Sequence, residues 1–279
     1  MKSDMNSSVK SEMNSETIDL PSGRRWQVYC GGAGPQILWL HGLRGVDPDD
    51  PTLKALQTRY RVTAPVAPGF NDLDELSRID NIHEVALDYD DLIGALGLKD
   101  FSVIGHSFGA MIAAEIAAHF PKAPERLVLL APFGLWNDAY PVADIFAMPY
   151  TQIDDILWHD AATREAFART IATDADARIV AAQTIKLAQS LTAVTKFVWP
   201  IPDRCLRRRL PRIACPALAL FGAEDRVVSP RYADDFRAGL RGGQTAVVAG
   251  AGHMLPYEKP QQVVDLIERF MKAVPAKVA

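Results

Sequence analysis

Apolar positions along the chain switch repeatedly between the two-residue period of strands and the 3.6-residue period of helices. Thr17–Leu20 and Arg25–Cys30 flank the turn residues Pro21-Ser22-Gly23, which predicts an antiparallel edge pair. Gln36–His41 reads as a buried strand, followed by a helical piece ending near Tyr60 and a further strand over Arg61–Ala64. Residues 82–96 carry apolar and acidic side chains at helical spacing, with Gly97 as a stop signal. A short apolar strand from Phe101 runs into the helical pattern Ala110–His119, and Arg126–Ala131 is the next strand. Strands over Pro216–Gly222 and Thr245–Ala249 follow. The chain then reaches a helix over Gln261–Lys272, apolar along Val263, Val264, Leu266, Ile267 and Phe270. Strands alternating with helices in this way predict an α/β fold around a mostly parallel sheet.

The pattern changes between residues 134 and 210. This insert predicts helices over Ala143–Met148, Ile153–His159, Thr163–Ile171 and Asp174–Leu191, and it is rich in aromatic residues. Most of those rings are expected to form a small core of their own. Residues 1–16 are rich in Ser, Asn and Met without apolar periodicity, and read as a flexible tail. They lack the apolar run of a signal peptide, and no apolar stretch of about 20 residues occurs to span a membrane.

Composition narrows the class. A chain of 279 residues, 48% hydrophobic and 23% charged, suits one large core with a possible subdomain. The net charge of -4 and the lack of like-charged blocks give no nucleic-acid footprint. Arg204, Arg207, Arg208, Arg209 and Arg212 form the one basic cluster, expected to solvate a helix returning from the insert. The three cysteines, Cys30, Cys205 and Cys215, are odd in number and have no metal-ligand spacing, which fits a reducing cytoplasm and predicts no metal site.

The run Gly105-His106-Ser107-Phe108-Gly109 lies between a strand and a helix, the signature of a nucleophile elbow. Such a turn lifts Ser107 clear of the sheet, near backbone N–H groups at a helix start. A serine hydroxyl needs a base in hydrogen-bond reach, and the base needs an orienting carboxylate. After an elbow serine, the acid precedes the histidine in chain order. Among His119, His159 and His253, the last follows a strand and the Gly-rich loop 250–252, which makes it the expected base. Asp225, in the loop after the 216–222 strand, is the expected acid; Glu224 beside it and Asp138 after the preceding strand are the competitors. Two backbone N–H groups, of Leu43 and Phe108, are expected to form an oxyanion hole. His41 reads as a structural partner of its loop, and Arg44 as a solvated arginine or a contact for a substrate carboxylate.

Taken together, His41-Gly42, Ala67-Pro68-Gly69-Phe70, Gly105–Gly109, Phe221–Asp225, Gly250–His253 and Glu258-Lys259-Pro260 resemble the α/β-hydrolase superfamily over about residues 17 to 273. The resemblance implies a mostly parallel central sheet flanked by helices, with a helical cap inserted after the sixth strand. Residues 17–133 and 211–279 would be the core and 134–210 the cap. It also implies cleavage of an ester-like bond. Haloalkane dehalogenases and most epoxide hydrolases carry aspartate where this chain has Ser107.

The expected activity is therefore that of a serine hydrolase acting on a medium-sized, largely apolar ester through Ser107, His253 and Asp225, with no cofactor. Arg44, Trp136, Tyr140, Trp158 and Met254 are the candidate substrate contacts. Carbon–carbon bond hydrolysis of meta-cleavage-type diketones, lactone opening and perhydrolysis are the alternatives within catalysis. A small-molecule receptor on a hydrolase scaffold is the alternative outside it. No partner beyond a small molecule is expected, and the chain would act as a monomer or homodimer.

Overall fold

The computed structural model describes residues 13–171, 177–201 and 206–273. These form one eight-stranded sheet of order β1-β2-β4-β3-β5-β6-β7-β8. β1 (Asn14–Asp19) and β2 (Arg25–Gly31) make the edge hairpin, and β2 pairs antiparallel with β4 (Arg61–Pro65). β3 (Gln36–Leu40), β5 (Phe101–His106), β6 (Arg126–Leu130), β7 (Ala217–Gly222) and β8 (Gln244–Val248) continue the sheet in parallel. β1 starts at Asn14, so the last three residues expected in the tail belong to the edge strand; residues 1–12 lie outside the described residues.

The central strands are apolar on both sides because both faces are covered. Leu38, Leu40, Val103, Leu127, Leu129, Ala219 and Phe221 face α2 (Ile82–Ala95) and α3 (Phe108–His119). Their neighbours Ile37, Trp39, Ile104, Val128, Leu130, Leu218 and Leu220 face α1 (Pro51–Gln57) and α9 (Pro260–Ala273). On α9, Val263, Val264, Ile267 and Phe270 are buried and Leu266 packs at the margin. The alternation follows directly from the two-residue period of a strand.

β3 is flanked by β4 on one side and β5 on the other. The chain therefore leaves the C-terminal ends of β3 and β5 toward opposite sides, opening a crevice at the strand ends where ligands bind in such sheets. The loop after β3 and the turn after β5 meet there.

Between β6 and β7 lie α4 (Tyr150–Leu157), α5 (Ala161–Ile171) and α6 (Ala177–Val198). No helix forms over Ala143–Met148: Asp144 takes the N–H groups of Phe146 and Ala147 in a local turn, which competes with a helix in so short a segment between Pro141 and Pro149. α4 stops at Leu157 rather than His159 because Trp158 adopts an extended conformation. The start expected for the last helix, 174–176, lies outside the described residues. α7 (Tyr232–Gly239) and α8 (Leu255–Glu258) escape the hydrophobic pattern because each buries too few side chains to set a period.

The arginine cluster is more than a solvated face. Arg209 makes two 2.7 Å bonds to the wholly buried carboxylate of Glu115 on α3, Arg207 reaches Asp235 at 2.9 Å, and Arg212 donates to the Ala118 carbonyl. Among the described residues, Cys30 is a free thiol, and no helix is long and apolar enough to cross a membrane.

Candidate active site

Ser107 joins β5 to α3 with φ +57° and ψ -116°, a conformation that non-glycine residues rarely adopt. Such strain costs on the order of 1–3 kcal/mol and persists only where the surroundings over-determine it. Here the Ser107 N–H donates to the Leu130 carbonyl on β6 at 2.8 Å, while its carbonyl accepts from Ala110, Met111 and Phe133. The elbow glycines permit the close approach. A Cβ at Gly105 would sit 2.3 Å from the Gly109 carbonyl oxygen, and one at Gly109 would sit 2.1 Å from that of Leu40.

Three segments far apart in sequence converge on this turn. His253 Nε2 lies 2.8 Å from Ser107 Oγ, and His253 Nδ1 lies 2.9 Å from Asp225 Oδ2. All three side chains are buried. The other oxygen of Asp225 accepts the Val227 and Val228 N–H groups at 2.8 and 2.9 Å, which leaves Oδ2 aimed at the imidazole. His253 therefore carries its proton on Nδ1 and offers a lone pair to the serine, the arrangement a general base requires. Phe133 packs edge-on against the ring, 5.7 Å between centroids.

The competing acids lie elsewhere. Asp138 is exposed and accepts from Trp136 Nε1, and Glu224 sits beside Asp225 without reaching His253. Of the other histidines, His119 lies 3.0 Å from His83, and the His159 N–H is bound to Glu258. His83, His119 and Glu115 gather in one cluster. Its groups are already engaged, however: the imidazoles hydrogen-bond each other and both Glu115 oxygens take Arg209.

His41 has the structural part expected of it. Nε2 accepts the Ala67 N–H at 2.9 Å, so Nδ1 donates to the Gly42 carbonyl at 2.8 Å. Burial holds its pKa down at about 4, keeping the ring neutral. In a planar trans peptide the carbonyl and the next N–H point opposite ways. Turning the Gly42 carbonyl toward His41 thus aims the Leu43 N–H away from it. The Phe108 N–H stands at the first turn of α3, where helix N–H groups lack intrahelical partners.

A cavity of about 20 Å³, little more than one water, opens on Ser107 and His253 and is walled by Trp39, Leu43, Leu157 and Met254 among others. Arg44 also lines it. Its guanidinium pairs with Asp154 of α4 and lies 6.0 Å from the Phe167 ring, while Nε has no hydrogen-bond partner among the described residues. Burial lowers its pKa to about 10. Met254 lies on the wall. Trp158 is buried behind it, edge-on to Tyr257. Trp136 and Tyr140 do not reach the cavity: Trp136 bonds Asp138, and Tyr140 bonds Asp235, meets Tyr232 edge-on and lies under the Arg231 guanidinium. Trp39 and Tyr257, which do line it, carried no sequence signal beyond being apolar near a motif.

A larger cleft of about 410 Å³ lies between the β1–β2 turn and the loop after β4, lined by Arg24, Trp26, Glu75 and Arg78. Neither Ser107 nor His253 borders it. The smaller cavity is the one where Ser107 Oγ and His253 Nε2 meet.

Residues 37–266 match the model of the alpha/beta hydrolase family. The chain is 26% identical to 2-hydroxymuconate semialdehyde hydrolase of Pseudomonas putida, over 90% of this chain and 92% of that protein. It is likewise 26% identical to the mouse sn-1-specific diacylglycerol lipase, over 85% and 81% respectively. Among solved structures, the 2-hydroxy-6-oxo-6-phenylhexa-2,4-dienoate hydrolase of a Rhodococcus strain superposes with a TM-score of 0.74 at 16% identity, covering 94% of this chain and all of that one. This last likeness is one of fold.

Proposed function

Since the chain belongs to the alpha/beta hydrolase family, we propose that it is a serine hydrolase that cleaves a carboxylic ester or related acyl bond. The observation that carries the reading is the buried relay of Ser107 Oγ, His253 and Asp225, with successive contacts of 2.8 and 2.9 Å. Ser107 attacks the carbonyl carbon as its proton passes to His253 Nε2, and the Asp225 carboxylate stabilises the imidazolium that forms. The Leu43 and Phe108 N–H groups receive the oxyanion. The protonated imidazole then releases the alcohol. Water, activated by the same nitrogen, frees the acid from the acyl-enzyme and restores Ser107. Segment 134–210 acts as a cap over core segments 17–133 and 211–279; Leu157 on the cavity wall supports this. Trp39, Leu43, Leu157 and Met254 on the wall favour a largely apolar substrate, medium-sized if the insert moves to widen a cavity now little larger than one water.

Labelling with a fluorophosphonate followed by peptide mapping tests the reading. The label is expected on Ser107, and Ser107→Ala is expected to lose esterase turnover by several powers of ten. A Ser107→Ala protein that hydrolyses an aryl ester at the parent's rate overturns it.

Arg44 favours a second reading. A half-buried guanidinium on the cavity wall, paired with Asp154 through one nitrogen and with Nε unbonded among the described residues, suits a substrate carboxylate, and the Pseudomonas relative is by its name a semialdehyde hydrolase. Under this reading the bond cleaved is carbon–carbon, in a carboxylate-bearing diketone. Aryl esters and such a diketone assayed side by side separate the two, and Arg44→Ala would weaken only the diketone reaction.

A further inference from the structure

The loops that carry the acid and the base each reach out to one short stretch of the insert, residues 155–160. From the base loop, the buried carboxylate of Glu258 takes the Gly252 N–H on Oε2 at 2.6 Å. Its Oε1 takes the N–H groups of His159 and Asp160 at 2.6 and 2.7 Å. The Met254 N–H donates to the Leu157 carbonyl at 3.2 Å. From the acid loop, Arg226 donates to the Trp158 carbonyl at 2.8 Å and to that of Asp155. The bonded backbone groups at 252 and 254 flank His253, and Arg226 follows Asp225 directly. The fit is close: a Cβ at Gly252 would stand 2.8 Å from the His159 nitrogen.

We propose that Glu258 and Arg226 are positioning residues that use segment 155–160 as a common strut, so that the seat of the insert sets the register of His253 against Asp225 and Ser107. The inference rests on the serine-hydrolase reading. Ordinary helix capping does not account for the pattern. Glu258 joins N–H groups about a hundred residues apart in sequence, and both bonded segments border the site. The carboxylate accepts three charge-assisted bonds, each stronger than a neutral one. The insert would thus act as part of the catalytic frame as well as a cover.

Glu258→Gln tests this at constant volume. An amide accepts on one side and donates on the other. Keeping the His159 and Asp160 bonds sets its NH2 against the Gly252 N–H, and flipping it breaks the opposite pair. Either way the bridge opens. With a short aryl ester, too small to depend on the insert for binding, kcat and the rate of fluorophosphonate labelling at Ser107 are expected to fall together by about 10–100-fold, the scale of a displacement near 1 Å, with KM unchanged. Arg226→Met should give the same split with a smaller loss. Loss of thermal stability with kcat and labelling at parental values overturns the proposal. If Glu258→Gln fails to fold, Arg226→Met decides alone, and unchanged kcat overturns it. A parent protein that is not labelled at Ser107 overturns the serine-hydrolase reading and the positioning role with it. A labelled parent matched by both variants overturns the positioning role only.

Discussion

His106 Nε2 donates a hydrogen bond to the main-chain carbonyl of His253 at 2.8 Å, across 147 residues of sequence. The residue before the nucleophile thus holds the backbone of the candidate base. The ring is buried, and burial, with the neighbouring His253 adding to it, pushes its pKa down to about 3. His106 therefore stays neutral in the folded protein.

That neutrality predicts an acid-linked loss of stability. Unfolded His106 gains a proton below its ordinary value near 6.5, while the folded protein refuses it down to about 3. Between roughly pH 4 and 6 the unfolded state holds one more proton at this site, so stability falls as pH falls, by about 1.4 kcal/mol per pH unit. His106→Gln keeps a donor for the His253 carbonyl and removes this proton. Urea unfolding at pH 6.5, 5.5 and 4.5 should show the parent losing stability more steeply than the variant. His41, and Asp50 with its pKa raised by burial to about 7, titrate in both proteins and cancel in the difference. Parallel curves would refute the linkage.

Asp225→Asn should cut kcat by about 10⁴ while leaving the fold intact. Val227 and Val228 hold the Oδ1 position as an acceptor, so the new amide NH2 faces His253 Nδ1. The imidazole must then accept there and carry its proton on Nε2, against Ser107, where it has no lone pair left to act as base. Steady-state kinetics on an aryl ester checks the size of the loss. A drop below tenfold would mean that the tautomer is set by something else.

Gly109→Ala should destabilise the protein by about 3 kcal/mol, the upper end for an overpacked site. The new methyl would meet the backbone oxygens of Leu40 and His41 at 2.1 and 2.4 Å, and backbone cannot swing aside as a side chain can. Chemical denaturation measures it, and a variant within 0.5 kcal/mol, roughly the scatter of ordinary surface changes, would show that the turn yields to the added methyl.

Glu115→Gln should cost on the order of 2 kcal/mol, since it turns a two-pronged charge-assisted bond at a wholly buried carboxylate into a weaker neutral one. Glu115 is wholly buried under Arg209, which ties the segment returning from the insert to the nucleophile helix. A thermal melt reads the loss. Activity per folded molecule should change little, because neither group borders the Ser107 cavity.

Much of the architecture was legible because it depends on local spacing. The elbow could be read from two glycines around a serine between a strand and a helix, and those same glycines leave room where a Cβ would stand less than 2.5 Å from a backbone oxygen. The parallel strands announced themselves as apolar runs because both sheet faces are covered. Short elements such as α7 and α8 were invisible, since two or three buried side chains define no period. Asp144 turned a short expected helix into a turn by capturing two N–H groups locally.

By itself, then, the sequence determined the alternation of strand and helix and the elbow at Ser107, because each is a matter of neighbours within a few residues; Asp225 and His253 it marked only as candidates, by the strand-following loops that carry them. Tertiary structure alone decided which aromatic rings wall the cavity, that Trp136 and Tyr140 turn away from it, that His106 holds the His253 carbonyl, and that Glu258 spans to residues 159 and 160. Those contacts join segments about a hundred residues or more apart, or depend on which way a loop packs. No periodicity records them, because a side chain's partner across the fold is chosen by packing and by the need to satisfy buried polar groups.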